Sequence, residues 1–127
     1  MSLSEQQLSS YKDNGFIFLP SYFSQTEIAP LRKEASLLLA REANSRILEK
    51  EGQTVRSVYG PHMVNQLFKQ LTRHQRILKP VEQILNNRVY VYQTKINVKA
   101  AFGGDVWSWH QDFIFWHKED ELPDAQV

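Results

Sequence analysis

The stretch Trp107-Ser108-Trp109-His110-Gln111-Asp112-Phe113 contains an H-x-D pair within an aromatic run, and we predict an extended strand over 107–113. Side chains alternate along a strand, so His110 and Asp112 would leave the same face. An imidazole nitrogen and a carboxylate oxygen on one face can bind one metal ion from adjacent directions. With a second histidine they would form the facial triad that holds non-haem Fe(II). By spacing alone, two hydrogen-bonded strand residues without a metal are the more common interpretation of such a pair.

Composition places the chain among ordinary globular proteins. Its 127 residues suit a single domain, 1–127, and 15 basic residues against 14 acidic ones produce no net field that would attract nucleic acid or an anionic membrane. Cysteine is absent, which excludes disulfides and thiolate metal sites. The sequence begins without a signal-peptide pattern and contains no apolar run of membrane-spanning length, so we expect a soluble, cytoplasmic protein.

The first half predicts helices with recognisable ends. Ser4 and Gly15 bracket a short helix, and Ser24 with Glu27 forms a capping-box pattern before a leucine-rich helix. Pro30 lies near the start of this second helix, so we expect a distorted first turn or a late start. Other segments follow from periodicity and turn residues: strands over 15–20 and 54–59, a loop over 44–53, helices over 63–71 and 73–85 with Pro80 interrupting, and a turn at Asn86-Asn87. His62 and His74 are expected to be capping or surface imidazoles.

Residues 88–99 predict the longest strand. One of its faces carries the polar side chains Gln93, Lys95 and Asn97. These side chains either face solvent or point into a polar pocket inside a barrel, and the pattern alone leaves both options open. A glycine-containing turn over 100–105 then leads to the 107–113 strand, so the two strands could be neighbours in one sheet.

Two strings together resemble the phytanoyl-CoA dioxygenase family, and within it the ectoine-hydroxylase-like enzymes. The string V-Y-V-Y-Q-T-K-I-N at 89–97 parallels the family's Q-x-[RK]-I-N strand. The string W-H-Q-D-F-I-F-W-H-K-E-D-E-L-P at 109–123 parallels its W-H-x-D-F-x-x-W-H-x-E-D segment. Two strings at the family's spacing are far more specific than H-x-D alone, so we expect a metal site.

The resemblance implies an α+β fold, a double-stranded β-helix (jelly-roll, cupin-like barrel) with N-terminal helices packed outside and incomplete in this chain. It also implies Fe(II), with 2-oxoglutarate and O₂ as co-substrates. The residues that match family positions are His110 and Asp112 as metal ligands, Asn97 and Trp107 beside 2-oxoglutarate, and Gln93, Lys95 and Trp116 facing the substrate. Lys95 stands where ectoine hydroxylase usually has arginine, which keeps the positive charge but loses bidentate geometry.

The sequence also departs from the family. The family's distal histidine and its 2-oxoglutarate-binding arginine lie well beyond the H-x-D motif. After Asp112 the only histidine is His117, which matches the W-H of the motif, and there is no arginine. Residues 121–127 read as a turn leading into another strand. We therefore expect the N-terminal part of a longer protein, with these 127 residues inactive alone.

The expected activity of the complete protein is hydroxylation of a small molecule, an amino acid or a metabolite derived from one. Related halogenases lack the carboxylate ligand, so Asp112 favours hydroxylation. A non-catalytic β-rich binding module, with the aromatic residues as its core, is the main alternative. A zinc-dependent hydrolase is a weaker one, because no general base or nucleophile is visible.

Overall fold

The computed structural model describes residues 2–101 and 103–121, in which helices surround one small sheet. The helices in this part of the chain are α1 (Glu5–Asn14), α2 (Gln25–Ala40), α3 (Pro61–Val64), α4 (Gln66–Leu71), α5 (Gln75–Leu85) and α6 (Asp112–Glu119). The strands are β1 (Arg46–Leu48), β2 (Val55–Tyr59) and β3 (Lys95–Asn97). No helix within 2–101 or 103–121 is long and apolar enough to cross a membrane.

The three strands form an antiparallel sheet in the order β1-β2-β3. A tight turn containing Gly52, whose φ is 77°, joins β1 to β2 as a hairpin. The connection from β2 to β3 instead runs through α3, α4 and α5. In the β2–β3 register Ser57 opposes Asn97 and Tyr59 opposes Lys95, so these four side chains share one face of the sheet.

The two predicted helix starts at Ser4 and Ser24 are confirmed, each with both hydrogen bonds of a capping box. Gly15 ends α1 in the left-handed conformation, as expected. The late start considered for the second helix is wrong, because α2 begins at Gln25 and runs through Pro30. The proline removes only the one backbone hydrogen bond that its missing N–H would have donated, and the capping box fixes the helix start five residues earlier.

Proline has a similarly small effect in α5. Pro80 is buried inside this helix and does not interrupt it. Asn86 ends α5 in the left-handed conformation, which confirms the predicted turn. The helix predicted over 63–71 is instead divided at Asn65, whose side chain accepts hydrogen bonds from the N–H groups of Leu67 and Phe68 and so starts α4.

Burial is concentrated where the helices meet the sheet. Val58, in β2, is 2% exposed, and Pro61, three residues later at the start of α3, is fully buried. Leu3 is also buried, and its backbone N–H donates to Gln83 Oε1 on α5 at 2.6 Å. Many large apolar side chains are nevertheless exposed, including Phe18, Tyr90 and Trp109. The described residues therefore bury only part of their apolar surface.

Three strand predictions were wrong in whole or in part. Residues 15–20 are not a strand, the strand predicted over 88–99 is reduced to Lys95–Asn97, and 107–113 is irregular up to Gln111, after which α6 begins. The predicted loop over 44–53 contains β1, whereas the strand predicted over 54–59 is confirmed as β2. A strand exists only through hydrogen bonds to a neighbour, and only the part of these segments that lies beside β2 finds one among the described residues.

The α+β class is confirmed, although the three described strands do not by themselves make a barrel. The predicted turn leading into a further strand falls on 122–127, outside the described residues. Pro123, the last residue of the motif, lies outside them as well.

Glu27 supplies a test of the α2 start. Hydrogen bonds from the Ser24 backbone N–H and hydroxyl, and then from Arg76, lower the pKa of Glu27 from about 4.5 to about 2. A lowered folded-state pKa adds stability that is fully present above pH 4.5 and is lost as the pH falls towards 2. We expect denaturant titrations to show the advantage of the native protein over Glu27→Gln shrinking across this window. An advantage that stays constant from pH 5 to pH 2 would contradict the assignment.

Candidate metal and cofactor site

The two predicted metal ligands meet in the structure, although not in the predicted way. His110 lies in an extended loop and Asp112 is the first residue of α6, yet His110 Nε2 is 3.1 Å from Asp112 Oδ1. The other ring nitrogen, His110 Nδ1, lies 2.7 Å from the carbonyl oxygen of Ser108. Both side chains are more than a third exposed, so a ligand could reach them.

These contacts indicate which atoms are available to a metal. A carbonyl oxygen only accepts hydrogen bonds, so His110 Nδ1 carries a proton and donates it to Ser108. This leaves Nε2 facing the Asp112 carboxylate. Two donors that bind one ion at right angles, each about 2.1 Å from it, are about 3 Å apart, which agrees with the observed separation. The pair therefore fits two adjacent positions on one cation.

Lys95 contacts the second oxygen of the Asp112 carboxylate. Its Nζ lies 3.5 Å from Asp112 Oδ2, and the two side chains are 28% and 41% exposed. One carboxylate oxygen thus faces His110 and the other faces a cation. Lys95, predicted as a substrate residue, lies next to a predicted metal ligand.

Asn97 is oriented by a residue that the sequence did not single out. Ser57, which opposes Asn97 in the sheet and is 3% exposed, donates its hydroxyl to Asn97 Oδ1 at 2.8 Å. With Oδ1 engaged, the Asn97 Nδ2 group remains to donate to an anionic ligand. The sequence clue to Ser57 was a polar residue inside a short apolar strand.

Trp107 packs against a second unforeseen residue. The Arg56 guanidinium lies 3.8 Å from the centroid of the Trp107 ring, and Arg56 also pairs with the buried carboxylate of Glu49 at 2.7 Å. Glu49 falls in the segment predicted as a loop, so no periodicity marked it as buried.

Trp116, on α6, is held by a tyrosine that precedes β3. The Tyr92 and Trp116 rings meet edge to face with centroids 5.7 Å apart. The Tyr92 hydroxyl donates to the Asp120 carboxylate, and this hydrogen bond, together with partial desolvation, raises the pKa of Tyr92 to about 12. Gln93, next to Tyr92, is exposed.

The described residues hold two of the three expected metal ligands. No group of three or more His, Cys, Asp or Glu side chains suited to a metal lies within 2–101 and 103–121. His74 caps α5 by accepting from the Arg76 N–H, as expected for a capping imidazole. His62 is half-buried, and its Nδ1 shares a hydrogen bond with the Thr94 hydroxyl.

Comparison with known proteins gives a consistent result. The family model described as phytanoyl-CoA dioxygenase (PhyH) matches residues 11–127. An ectoine dioxygenase of Streptomyces avermitilis is 38% identical over 98% of this chain and 44% of its own length. An L-proline trans-4-hydroxylase of Streptomyces griseoviridis is 35% identical over 98% of this chain and 48% of its own. The chain thus spans less than half the length of these relatives.

Solved structures agree with the sequence relatives. The crystal structure of EctD from S. alaskensis with 2-oxoglutarate and 5-hydroxyectoine superposes with a TM-score of 0.92, at 30% identity, and the match covers 98% of this chain and 45% of that one. The same enzyme with bound Fe superposes with a TM-score of 0.83, covering 91% of this chain and 42% of that one. The backbone of this chain therefore follows the corresponding part of EctD.

The Tyr92–Asp120 contact can be tested by titration. We expect Asp120→Asn to lower the pKa of Tyr92 from about 12 towards the usual 10, because the variant removes the anion that opposes phenolate formation. Since the folded-state pKa is raised, the contact should stabilise α6 below pH 10 and be lost between pH 10 and 12. Ultraviolet difference titration, with Tyr92→Phe identifying the responsible tyrosine, measures the pKa, and denaturant unfolding at pH 9 to 12 measures the change in stability. An unchanged late-titrating tyrosine in Asp120→Asn would refute the contact.

Proposed function

The chain belongs to the phytanoyl-CoA dioxygenase family, and from this premise we propose that the complete protein is an Fe(II)- and 2-oxoglutarate-dependent hydroxylase. Its substrate is a small amino acid or amino-acid-derived metabolite, as the names of its relatives suggest. In the complete protein the sheet described above forms part of a double-stranded β-helix. The protein is cytoplasmic, and residues 1–127 are the N-terminal part of one domain.

The observation that carries the proposal is the approach of His110 Nε2 to Asp112 Oδ1, at 3.1 Å. A neutral imidazole and a carboxylate are the two ligand types of the Fe(II) facial triad, and a further histidine in the complete protein would supply the third. The Ser108 carbonyl orients the imidazole and Lys95 orients the carboxylate. Outer contacts of this kind hold metal ligands in place before the ion arrives.

Two residues are suited to hold 2-oxoglutarate. Asn97 offers its amide N–H groups, because Ser57 already occupies its carbonyl oxygen. The Trp107 ring, half-buried under Arg56, offers a flat apolar wall that keeps water away from one side. A charged group for the far carboxylate of the co-substrate would come from the remainder of the protein.

The substrate residues are Gln93, Lys95 and Trp116. Lys95 supplies a cation for a substrate carboxylate, Gln93 an amide that can donate or accept, and Trp116 an aromatic face. The edge contact with Tyr92 limits the orientations of the Trp116 ring. An amino-acid-like molecule carries the charges and the apolar surface that such a set binds.

Bound iron with its co-substrates supplies the oxidation: the C–H substrate, 2-oxoglutarate and O₂ yield the hydroxylated product, succinate and CO₂. The contribution of this chain is to bind and orient. His110 and Asp112 present their donors in one direction, Asn97 and Trp107 position the co-substrate, and the substrate residues bring one C–H bond to the reacting centre.

The alternative of a non-catalytic binding module is less well supported. It treats the aromatic run as a packed core, whereas the relatives of this chain carry the names of enzymes.

Asp112→Ala separates a metal ligand from a structural carboxylate. Because Asp112 is 41% exposed and its pairing with Lys95 is loose, we expect the melting temperature of the complete protein to change little. Anaerobic Fe(II) titration should instead show an affinity loss of about 100-fold or more, and succinate release should disappear. Glu119→Ala, which alters an exposed carboxylate on the same helix, is the matched control. Full Fe(II) affinity in Asp112→Ala would exclude the proposed ligand.

Lys95 tests substrate binding. Losing a hydrogen bond to a charged group costs about 1.5–3 kcal/mol, so Lys95→Met should raise the KM for an amino-acid-like substrate by roughly tenfold or more. Lys95→Arg keeps the charge and should retain most of the activity. If Lys95 only orients Asp112 and does not bind the substrate, Lys95→Met will change Fe(II) affinity and leave KM unchanged, which steady-state kinetics and metal titration distinguish.

A further inference from the structure

The segment that carries the candidate metal ligands has little regular structure to hold it. Between β3 and α6 the described residues form neither helix nor strand. Its links to the β1–β2 hairpin are therefore informative. Asp105 accepts a hydrogen bond from the Lys50 N–H at 3.2 Å, and two residues later Trp107 lies under Arg56.

Arg56 is itself fixed by a buried carboxylate. Glu49 is 4% exposed, its Oε2 pairs with Arg56 NH1 at 2.7 Å, and its Oε1 is buried with no hydrogen-bond partner in the part of the chain that the structure describes. A carboxylate removed from water is costly unless a counter-charge stays beside it. Arg56 is thus constrained to remain at Glu49, and its planar guanidinium is constrained to the position where Trp107 stacks on it.

We propose that Arg56, anchored by Glu49, is a positioning residue that fixes the Trp107 ring and with it the segment bearing His110 and Asp112. The inference rests on the proposed function where it concerns ligands, since Trp107 is the wall of the 2-oxoglutarate site. The contact between Arg56 and the ring is independent of that function. Glu49 and Arg56 lie on the hairpin, so the role connects a scaffold element to the reacting centre.

Arg56→Lys is the decisive variant. Lysine keeps the charge beside Glu49 but lacks the planar group that stacks on an indole. In the complete protein labelled with 5-fluorotryptophan, the fluorine resonance that Trp107→Phe removes is the one that belongs to Trp107. We expect Arg56→Lys to shift that resonance and to weaken anaerobic 2-oxoglutarate binding about tenfold, as loss of an outer contact commonly does. The melting temperature should stay close to that of the native protein.

A second arginine provides a matched control. Arg76 also pairs with a glutamate, Glu27, and also lies over an aromatic ring, Phe23, at 4.2 Å, but it joins α5 to the start of α2. Arg76→Lys should move neither the Trp107 resonance nor the 2-oxoglutarate affinity. Glu49→Gln replaces the anchoring carboxylate with a neutral group of the same shape. This variant should shift the Trp107 resonance as Arg56→Lys does, and it provides a second test if one of the two variants fails to fold.

The outcomes separate the two proposals. An unmoved Trp107 resonance in Arg56→Lys, or a moved one with unchanged 2-oxoglutarate and Fe(II) affinities, would overturn the positioning role. If the native protein binds neither Fe(II) nor 2-oxoglutarate, the proposed function fails. In that case the Trp107 resonance alone decides whether Arg56 fixes the ring.

Discussion

The antiparallel pairing of β2 with β3 connects the residues of the candidate site. It opposes Ser57 to Asn97 and Tyr59 to Lys95, so a strand of only three residues presents two polar side chains on one face. Val58, between these pairs, is buried and anchors the sheet to the helices. A shift of this register by one residue would turn Lys95 and Asn97 to the opposite face and separate Lys95 from Asp112.

Several side chains of the candidate site come in pairs. One member of each pair is suited to bind a ligand, and the other holds the first in position. Lys95 contacts Asp112, Ser57 donates to Asn97, and Tyr92 packs on Trp116. Each supporting contact uses a different physical interaction: an ion pair, a hydrogen bond and an edge-to-face ring contact. Such support matters because a cofactor site must hold its geometry before the ligand binds.

Part of the exposed apolar surface comes from segments that the sequence predicts to be strands. Two segments that were predicted as strands, 15–20 and 88–94, form no strand among the described residues, and their aromatic side chains Phe18 and Tyr90 are each 78% exposed. The relatives that match this chain are more than twice its length. The local sequence of these segments therefore encodes a preference for β-strand, but a strand forms only when a neighbouring strand pairs with it.

Local chemistry determined much of this protein from sequence alone: the helix caps at Ser4 and Ser24, the strand at 54–59, and the motif strings that identify the family and nominate the site residues. Tertiary structure decided the rest. The approach of His110 to Asp112 arises from a loop running into α6, not from strand alternation, and Glu49, Arg56 and Ser57 acquire their roles through contacts across the sheet. The reason is physical: caps and turns depend on the nearest residues in sequence, whereas sheet pairing and the contacts that it creates depend on how separate elements pack together.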